Sequence, residues 1–274
     1  MSHSTKQRRE RIIAQLYQRG HVSVKALAVE MGISEATVRR DLKALADERV
    51  LQLVYGGAAL RRNSDFSFRS KSIRNVEAKR IIGSLAAALI GDDDQIFIDS
   101  GTTCFEMAPF LKSKRALSVI VNSVRLMAEL DNAPGLNIIA LGGQYRPDRM
   151  DTIGPLATAT LDQLRGYLCF MGADGLSMDF GPTASDIESA HLYRLAVRNA
   201  RETILLVDHS KFLTPSLFKI VDWETISKVV TDTGPSAPWA QFLRSRNIGL
   251  ICPDAAGAAE PSPQGRAGKT SENS

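Results

Sequence analysis

His21-Val22-Ser23-Val24-Lys25-Ala26-Leu27-Ala28-Val29-Glu30-Met31, then Gly32-Ile33-Ser34, then Glu35-Ala36-Thr37-Val38-Arg39-Arg40-Asp41-Leu42-Lys43-Ala44-Leu45: this stretch decides how the N-terminal part of the chain is read. It spells a short helix, a tight turn at a glycine and a second helix with its own cap. Ser23 is placed to cap the first helix and Ser34 the second, each by accepting a bond from a free backbone N–H. Val38, Leu42 and Leu45 recur at helical spacing and predict a core-facing stripe. Glu35, Ala36, Thr37, Arg39, Arg40 and Lys43 are left mainly on the other surface, where a helix can enter a DNA major groove. Arginine forks onto guanine or phosphate, and hydroxyls near a helix N-terminus suit a phosphate or a base edge. A solvated basic face on an ordinary helical bundle is the plainer alternative. Asp41 is expected to pair with a neighbouring arginine and fix its aim.

Outward from this unit, Lys6 to Arg19 predicts a helix with Ile12, Ile13, Leu16 and Tyr17 as its apolar stripe, ended by Gly20. Val50–Val54, a turn at Tyr55-Gly56-Gly57 and Ala58–Leu60 read as a hairpin wing, with Tyr55, Gly56 and Gly57 near DNA and Arg61 and Arg62 placed to touch phosphates. Charge agrees: residues 1–62 carry 12 Lys+Arg against 6 Asp+Glu, whereas the whole 274-residue chain is only +4. A basic head on a mildly acidic body suits a double-stranded DNA partner.

The domain plan reads as a head over 1–62, a linker over 63–75, a body over 76–252 and a disordered tail over 253–274, where Ala, Gly, Pro and Ser dominate. In the body a helix is expected from Val76 to Ile90. Strands are expected at Gln95–Asp99, Leu117–Val121, Leu136–Leu141, Tyr167–Gly172, Thr203–Val207, Lys228–Thr231 and Gly249–Ile251. Helices are placed at Cys104–Leu111, Val124–Leu130, Ile187–Asn199 and Pro238–Arg246. This alternation predicts an α/β body with an open, mostly parallel sheet, Rossmann-like in layering. Cys104, Cys169 and Cys252 are far apart and lack metal-ligand spacing, so a reducing cytoplasm is expected, with no disulfide and no metal. No run is long and apolar enough to span a membrane.

Ligands bind at the carboxyl ends of strands in such sheets. Asp99-Ser100-Gly101-Thr102-Thr103 offers hydroxyls, a glycine that admits close approach and the start of a helix. That is phosphate-cradle chemistry, although no Gly-Lys-Ser/Thr follows and no cofactor is expected. Asn122-Ser123, Gly142-Gly143 with Arg146, Asp174, and Asp208-His209-Ser210-Lys211 occupy equivalent ends. Gathered together they would form one pocket, with Asp99 and Asp174 accepting sugar hydroxyls and Lys211 and Arg146 neutralising a phosphate. Read singly, Asp174 could close a turn, and Lys211 and Arg146 could be solvated. His209 and His191 read as structural or solvent-facing.

Several of these motifs, in this order, resemble the DeoR family of bacterial sugar-metabolism transcription regulators. They are Ser34-Glu35-Ala36-Thr37-Val38-Arg39-Arg40-Asp41-Leu42, Gly56-Gly57-Ala58, Asp99-Ser100-Gly101-Thr102-Thr103, Asn122-Ser123, Leu141-Gly142-Gly143, Gly154-Pro155-Leu156, Gly172-Ala173-Asp174-Gly175 and Asp208-His209-Ser210-Lys211-Phe212. The resemblance implies an N-terminal winged helix-turn-helix domain and a C-terminal sensor domain related to ribose-5-phosphate isomerase. It also implies a repressor of a carbohydrate operon, relieved by a phosphorylated sugar and acting as a homodimer or homotetramer on repeated half-sites. Tyr55 stands where the family usually has His. His191 and Tyr193 stand where a Glu and a Lys are more usual, so no ligand contact is assigned to either. The alternative is a sugar-phosphate isomerase-like enzyme with a DNA-binding head, for which Asp99, Asp174 and Lys211 would be the working groups.

Overall fold

The computed structural model describes residues 5–19, 21–47, 51–60 and 67–253. The readings placed on Gly20, Val50, Arg61, Arg62, the start of the linker and residues 254–274 lie outside the described residues.

In the head, α1 (Thr5–Arg19), β1 (His21–Ser23), α2 (Val24–Met31), α3 (Glu35–Asp47), β2 (Leu51–Val54) and β3 (Gly57–Leu60) follow in order. Ile12, Ile13, Leu16, Leu27, Val38, Leu42 and Leu45 close into one buried cluster. Gly32, at φ +63°, ends α2 in the left-handed region that costs glycine nothing. Antiparallel pairing gives the order β1-β3-β2, so the hairpin has a third strand that the reading of residues 21–23 as helix lead-in does not include.

The body begins with α4 (Phe68–Ser72) and α5 (Val76–Ala87). It continues through β4 (Gln95–Ile98), α6 (Thr102–Phe105), α7 (Ala108–Leu111), β5 (Leu117–Val121), α8 (Val124–Glu129) and β6 (Leu136–Ala140). A short ribbon of β7 (Gln144–Arg146) and β8 (Asp151–Ile153) precedes α9 (Pro155–Asp162) and β9 (Leu168–Gly172). Then come β10 (Gly175–Ser177), β11 (Gly181–Ala184), α10 (Ile187–Asn199), β12 (Glu202–Leu206), β13 (Phe218–Lys219), β14 (Lys228–Val230), α11 (Ala237–Ser245) and β15 (Gly249–Ile251).

Seven strands form one sheet in the order β15-β14-β12-β9-β4-β5-β6, every neighbouring pair parallel. Both faces are covered, and the pleat divides the strand residues between them. Ile96 and Ile98 enter the cluster made with α5 to α8, whereas Phe97 enters the cluster made with α9 to α11. The chain runs outward from β4 through β5 and β6, then crosses back to begin the other half at β9. The strand order therefore reverses between β4 and β9, and the crevice outside their carboxyl ends is where an open α/β sheet takes a ligand.

Two differences from the sequence reading matter for that crevice. Residues 68–72, within the stretch read as linker, form helix α4. The loop expected after β6 contains the β7–β8 ribbon, which turns Arg146 back toward Asp151.

Candidate functional site

The cavity is built at the β4–β9 switch. Asp99 ends β4 and is buried, and both its oxygens are used. One accepts from the Gly101 N–H at 2.5 Å and the other from the Gly172 N–H after β9. Asp99 thus ties together the two loops that diverge there and lines the cavity with each oxygen already accepting one backbone N–H. Burial pushes its pKa up, and the two backbone donors oppose that. A side chain on Gly101 would meet the Asp99 carboxylate at 2.7 Å, so the turn requires glycine.

The space enclosed is about 140 Å³. Ser100, Thr102 and Thr103 line it, with Gly172, Asp174, Asp208 and Lys211 from the neighbouring loops. Thr102 and Thr103 are buried, yet their hydroxyls have no hydrogen-bond partner among the described residues. The Lys211 ammonium likewise makes no hydrogen bond or ion pair among them, while its backbone N–H donates to the Asp208 carbonyl at 3.0 Å. Ser100 donates to Asp151 at 2.9 Å and meets the Tyr193 hydroxyl at 3.1 Å.

Four cations that the sequence reading does not include complete the wall: Lys71, Arg74, Lys79 and Arg149. Lys71 pairs with Asp174 at 2.5 Å. Asp174 also accepts from the Ser185 N–H at 2.8 Å. Burial pushes the Asp174 carboxyl up, but Lys71, Ser185 and Lys211 outweigh it and hold it well below the usual range. Asp174 is therefore an ionised partner rather than a free acceptor. Burial lowers the Lys71 ammonium, against the pull of Asp174. Lys79 is buried and donates to the Lys71 carbonyl. Burial, with Lys211, Arg74 and Lys71 nearby, lowers its pKa to about 7 despite Asp208. For Asp208 burial acts upward, and Lys211, Ser210 and Lys79 together bring the carboxyl below its ordinary value.

The sequence does carry one signal for Lys79. It stands three and four residues before Ile82 and Gly83, on the buried stripe of α5, where a lysine has no place unless it has a task. Lys71 and Arg149 carry no such signal, because only the fold brings α4 and the ribbon turn to the crevice.

Other expected ligand residues fall outside the lining. Arg146 makes a two-point bond to Asp151 (2.9 and 2.7 Å) and reaches Asp186 and Ser189 (2.9 Å each), so its guanidinium is already neutralised. Asn122 donates to the Thr152 carbonyl at 3.1 Å, and Ser123 caps α8 through the Leu126 N–H at 3.1 Å. Gly143 serves the ribbon, since a Cβ there would lie 2.4 Å from the Ile153 carbonyl oxygen, whereas nothing lies within 4 Å of a Cβ on Gly142. Tyr193 lines the cavity, although no contact was assigned to it, whereas exposed His191 does not. With Arg146 and Asp186 included as partners, six cations (Lys71, Arg74, Lys79, Arg146, Arg149, Lys211) face five carboxylates (Asp99, Asp151, Asp174, Asp186, Asp208). The Lys211 ammonium makes no hydrogen bond or ion pair with a described residue, although its charge acts on Asp208 and Asp174.

In the head, Ser34 accepts from the Thr37 N–H at 3.2 Å and shares a bond with the Thr37 hydroxyl at 2.9 Å. Ala36, Arg39, Arg40 and Lys43 are exposed on α3. Arg39 rests on Glu35 at 2.9 Å, an exposed pair worth about 0.3–0.5 kcal/mol and readily given up. Asp41 does not aim these arginines. It is buried and takes Arg8 at 2.5 Å and Arg9 at 3.3 Å, fastening α1 to α3. Exposed Ser23 caps α2 through the Ala26 N–H at 3.5 Å. Tyr55 and Gly56 form the exposed wing tip, whereas Gly57 is buried. A Cβ on Gly57 would lie 1.9 Å from the Val22 carbonyl oxygen, so this glycine permits strand contact and presents no surface of its own. Among the described residues no helix is long and apolar enough to cross a membrane, and all three cysteines are free and buried.

Comparison with known proteins agrees with both halves. Residues 8–63 match the DeoR-like helix-turn-helix domain, and residues 74–233 match the DeoR C-terminal sensor domain. The chain is 34% identical over 212 residues to the lactose phosphotransferase system repressor of Lactococcus lactis subsp. lactis, covering 76% of this chain and 83% of that one. It is 30% identical over 228 residues to the HTH-type transcriptional regulator GolR of Listeria innocua, covering 82% and 90%. Ribose 5-phosphate isomerase A from Methanocaldococcus jannaschii is similar over 50% of this chain and 54% of its own, at 17% identity and a TM-score of 0.37. A DNA-reading head, a sensor body and relatives that regulate transcription along nearly their whole length leave no place for the isomerase alternative: the chain belongs to the DeoR family of transcriptional regulators.

Proposed function

We propose that this regulator represses a carbohydrate operon and is released from its operator by a phosphorylated sugar held at the β4–β9 switch. The observation that carries the reading is the cavity's unspent polar set. The Lys211 ammonium and the hydroxyls of Thr102 and Thr103 line one space and have no hydrogen-bond partner among the described residues. A phosphate monoester, with a charge near −1.5 to −2 and three strong acceptors, satisfies such a set in one step. The paired groups Asp174, Asp208 and Tyr193 line the same space and offer acceptors for the hydroxyls of a sugar. The lactose phosphotransferase system repressor is named for repression of a sugar system, which supports the same direction.

Arg39, Arg40, Lys43, Thr37 and the Tyr55 tip would meet the operator. One winged head covers a single half-site, so specific binding calls for a homo-oligomer with two or more heads on repeated half-sites. Arg40→Ala is expected to weaken binding to a selected operator by about 1–3 kcal/mol, read by fluorescence anisotropy. Unchanged affinity would remove Arg40 from the base-reading set.

The pocket is tested by thermal shift of the full chain with hexose and pentose phosphates against the parent sugars. A ligand at a hundred times its dissociation constant adds about 2.7 kcal/mol, and the parent sugars should add nothing comparable. Equal shifts for the two groups would contradict a phosphate-reading site.

Lys79 gives the binding a pH dependence. Its pKa of about 7 lies below that of an unfolded lysine, so without ligand the cavity releases this proton as pH rises through neutrality. A bound dianion favours the charged ammonium and raises that pKa. Binding therefore takes up a proton, and affinity falls as pH rises above about 7. Sulfate, which keeps its charge over this range, should bind more weakly at pH 8.5 than at pH 6.5, by calorimetry, with a slope approaching about tenfold per pH unit. Lys79→Met should flatten that slope. A steep slope that persists in Lys79→Met would assign the proton to another group.

A further inference from the structure

The segment that carries the DNA head is also a wall of the cavity. Phe68, Lys71, Arg74, Asn75 and Lys79 all line it, and they follow the wing strand β3 after only six residues outside the described set. Fully extended, the chain from Leu60 to Ser67 reaches at most about 25 Å, so a displacement of residues 67–75 displaces the head's tether.

This segment is fastened to the body largely through groups that border the cavity. Lys71 pairs with Asp174, 103 positions later in the chain. The Asn75 amide donates to Asp208 at 3.0 Å and to the Ser210 hydroxyl at 3.4 Å. Lys79 donates back to the Lys71 carbonyl, binding α5 to α4. The Phe68 N–H donates to the Asp148 carbonyl at 2.9 Å, beside Arg149 of the cavity wall. Phe68 itself packs edge-on against Phe105 at 5.6 Å, in the helix that Thr102 and Thr103 begin. Asp174 and Asp208, the two carboxylates that hold the segment, lie in the loops that carry the expected ligand contacts.

We infer that residues 67–79 act as a jaw: an anion held by Thr102, Thr103 and Lys211 is gripped from the other side by Lys71, Arg74 and Lys79, so that occupancy tightens the docking of the segment that tethers the DNA head. The inference rests on the anion-binding reading of the cavity. Its physical basis is differential affinity. A dianion adds attraction to three cations of the segment when it is docked and loses that attraction when it swings away, so the docked state is favoured. The coupling is reciprocal: whatever loosens the segment weakens the anion by the same factor.

Hydrogen exchange on the full chain, in inorganic phosphate against sodium chloride at matched ionic strength, tests this without altering the protein. Amides of residues 67–79 should exchange at least about fivefold more slowly in phosphate, together with those of 100–105 and 208–212. Slowing at 100–105 and 208–212 with no change at 67–79 would overturn the jaw and leave the anion site standing. No slowing at any of the three would overturn both. A second readout uses Asn75→Gly. Asn75 sits at φ +49°, which glycine adopts without strain, so this change removes the amide bonded to Asp208 and keeps the backbone. More phosphate should then be needed to protect 100–105 to the same degree, by about fivefold. An unaltered phosphate requirement would count against the jaw.

Discussion

Gly57→Ala should disable the head. β3 is the middle strand of the wing, and a methyl group at position 57 would sit 1.9 Å from the Val22 carbonyl oxygen and 3.1 Å from the Ser23 Cα. Both are backbone atoms that cannot rotate away, so β1 and β3 must part. Overpacking of this kind costs about 3 kcal/mol, at the upper end for a single added methyl group. For a head of this size that is a fall of about 10–20 °C in melting temperature, by differential scanning calorimetry. Operator binding should be lost with it. Gly56→Ala is the internal comparison. Its φ of +75° is unfavourable for alanine, but nothing lies within 4 Å of the added carbon. It should cost only about 1–2 kcal/mol. If the two variants melt together, the contact between β1 and β3 is not what position 57 protects.

The second large effect is a separation of functions. Lys211→Ala should leave operator affinity unchanged and make the protein insensitive to its effector. Lys211 lines the cavity with its ammonium unbonded among the described residues and lies in the body, whereas the residues proposed to face DNA lie on α3 and the wing. A hydrogen bond to a charged group is worth about 1.5–3 kcal/mol, so the effector concentration for half-release should rise by about ten- to a hundredfold. Tryptophan fluorescence can follow binding directly, since Trp239 donates to the carbonyl of Phe212, the residue after Lys211, at 3.0 Å. Loss of DNA binding with effector affinity intact would reverse the assignment.

How much of this was legible beforehand depended on the range of the interactions. All seven strands of the main sheet are legible as short, mainly apolar runs, most clearly in the central β4, β9 and β12, which are buried along most of their length. The head was legible because caps, a glycine turn and an i, i+4 stripe are local. The small strands β7, β8, β10, β11 and β13 were not: two to four residues show no period, and Gly181-Pro182 reads as a turn. Within the site, Ser100 to Thr103, Asp174 and Lys211 were found because they follow strands. Arg146 was misplaced for the same reason. Its position after β6 looked equivalent, but the ribbon folds it onto Asp151, and that ion pair uses the charge it was expected to offer a ligand. Asp99 ends its strand where the sequence places it, but its bonds to the Gly101 and Gly172 amides depend on the fold. Lys71, Arg74 and Arg149 were missed because each reaches the cavity from a segment that sequence alone reads as a linker or a loop.

The central claim is that one chain joins a DNA-reading head to an anion receptor whose occupancy loosens the grip. Its most direct measurement is fluorescence anisotropy of the wild-type protein on a site selected from random duplexes, titrated with phosphorylated sugars and, in parallel, with the same sugars unphosphorylated. The account predicts release by at least one phosphorylated sugar at concentrations where its parent does nothing, and no such release from Lys211→Ala. Release by parent and phosphorylated sugar alike, or equally from Lys211→Ala, would contradict it.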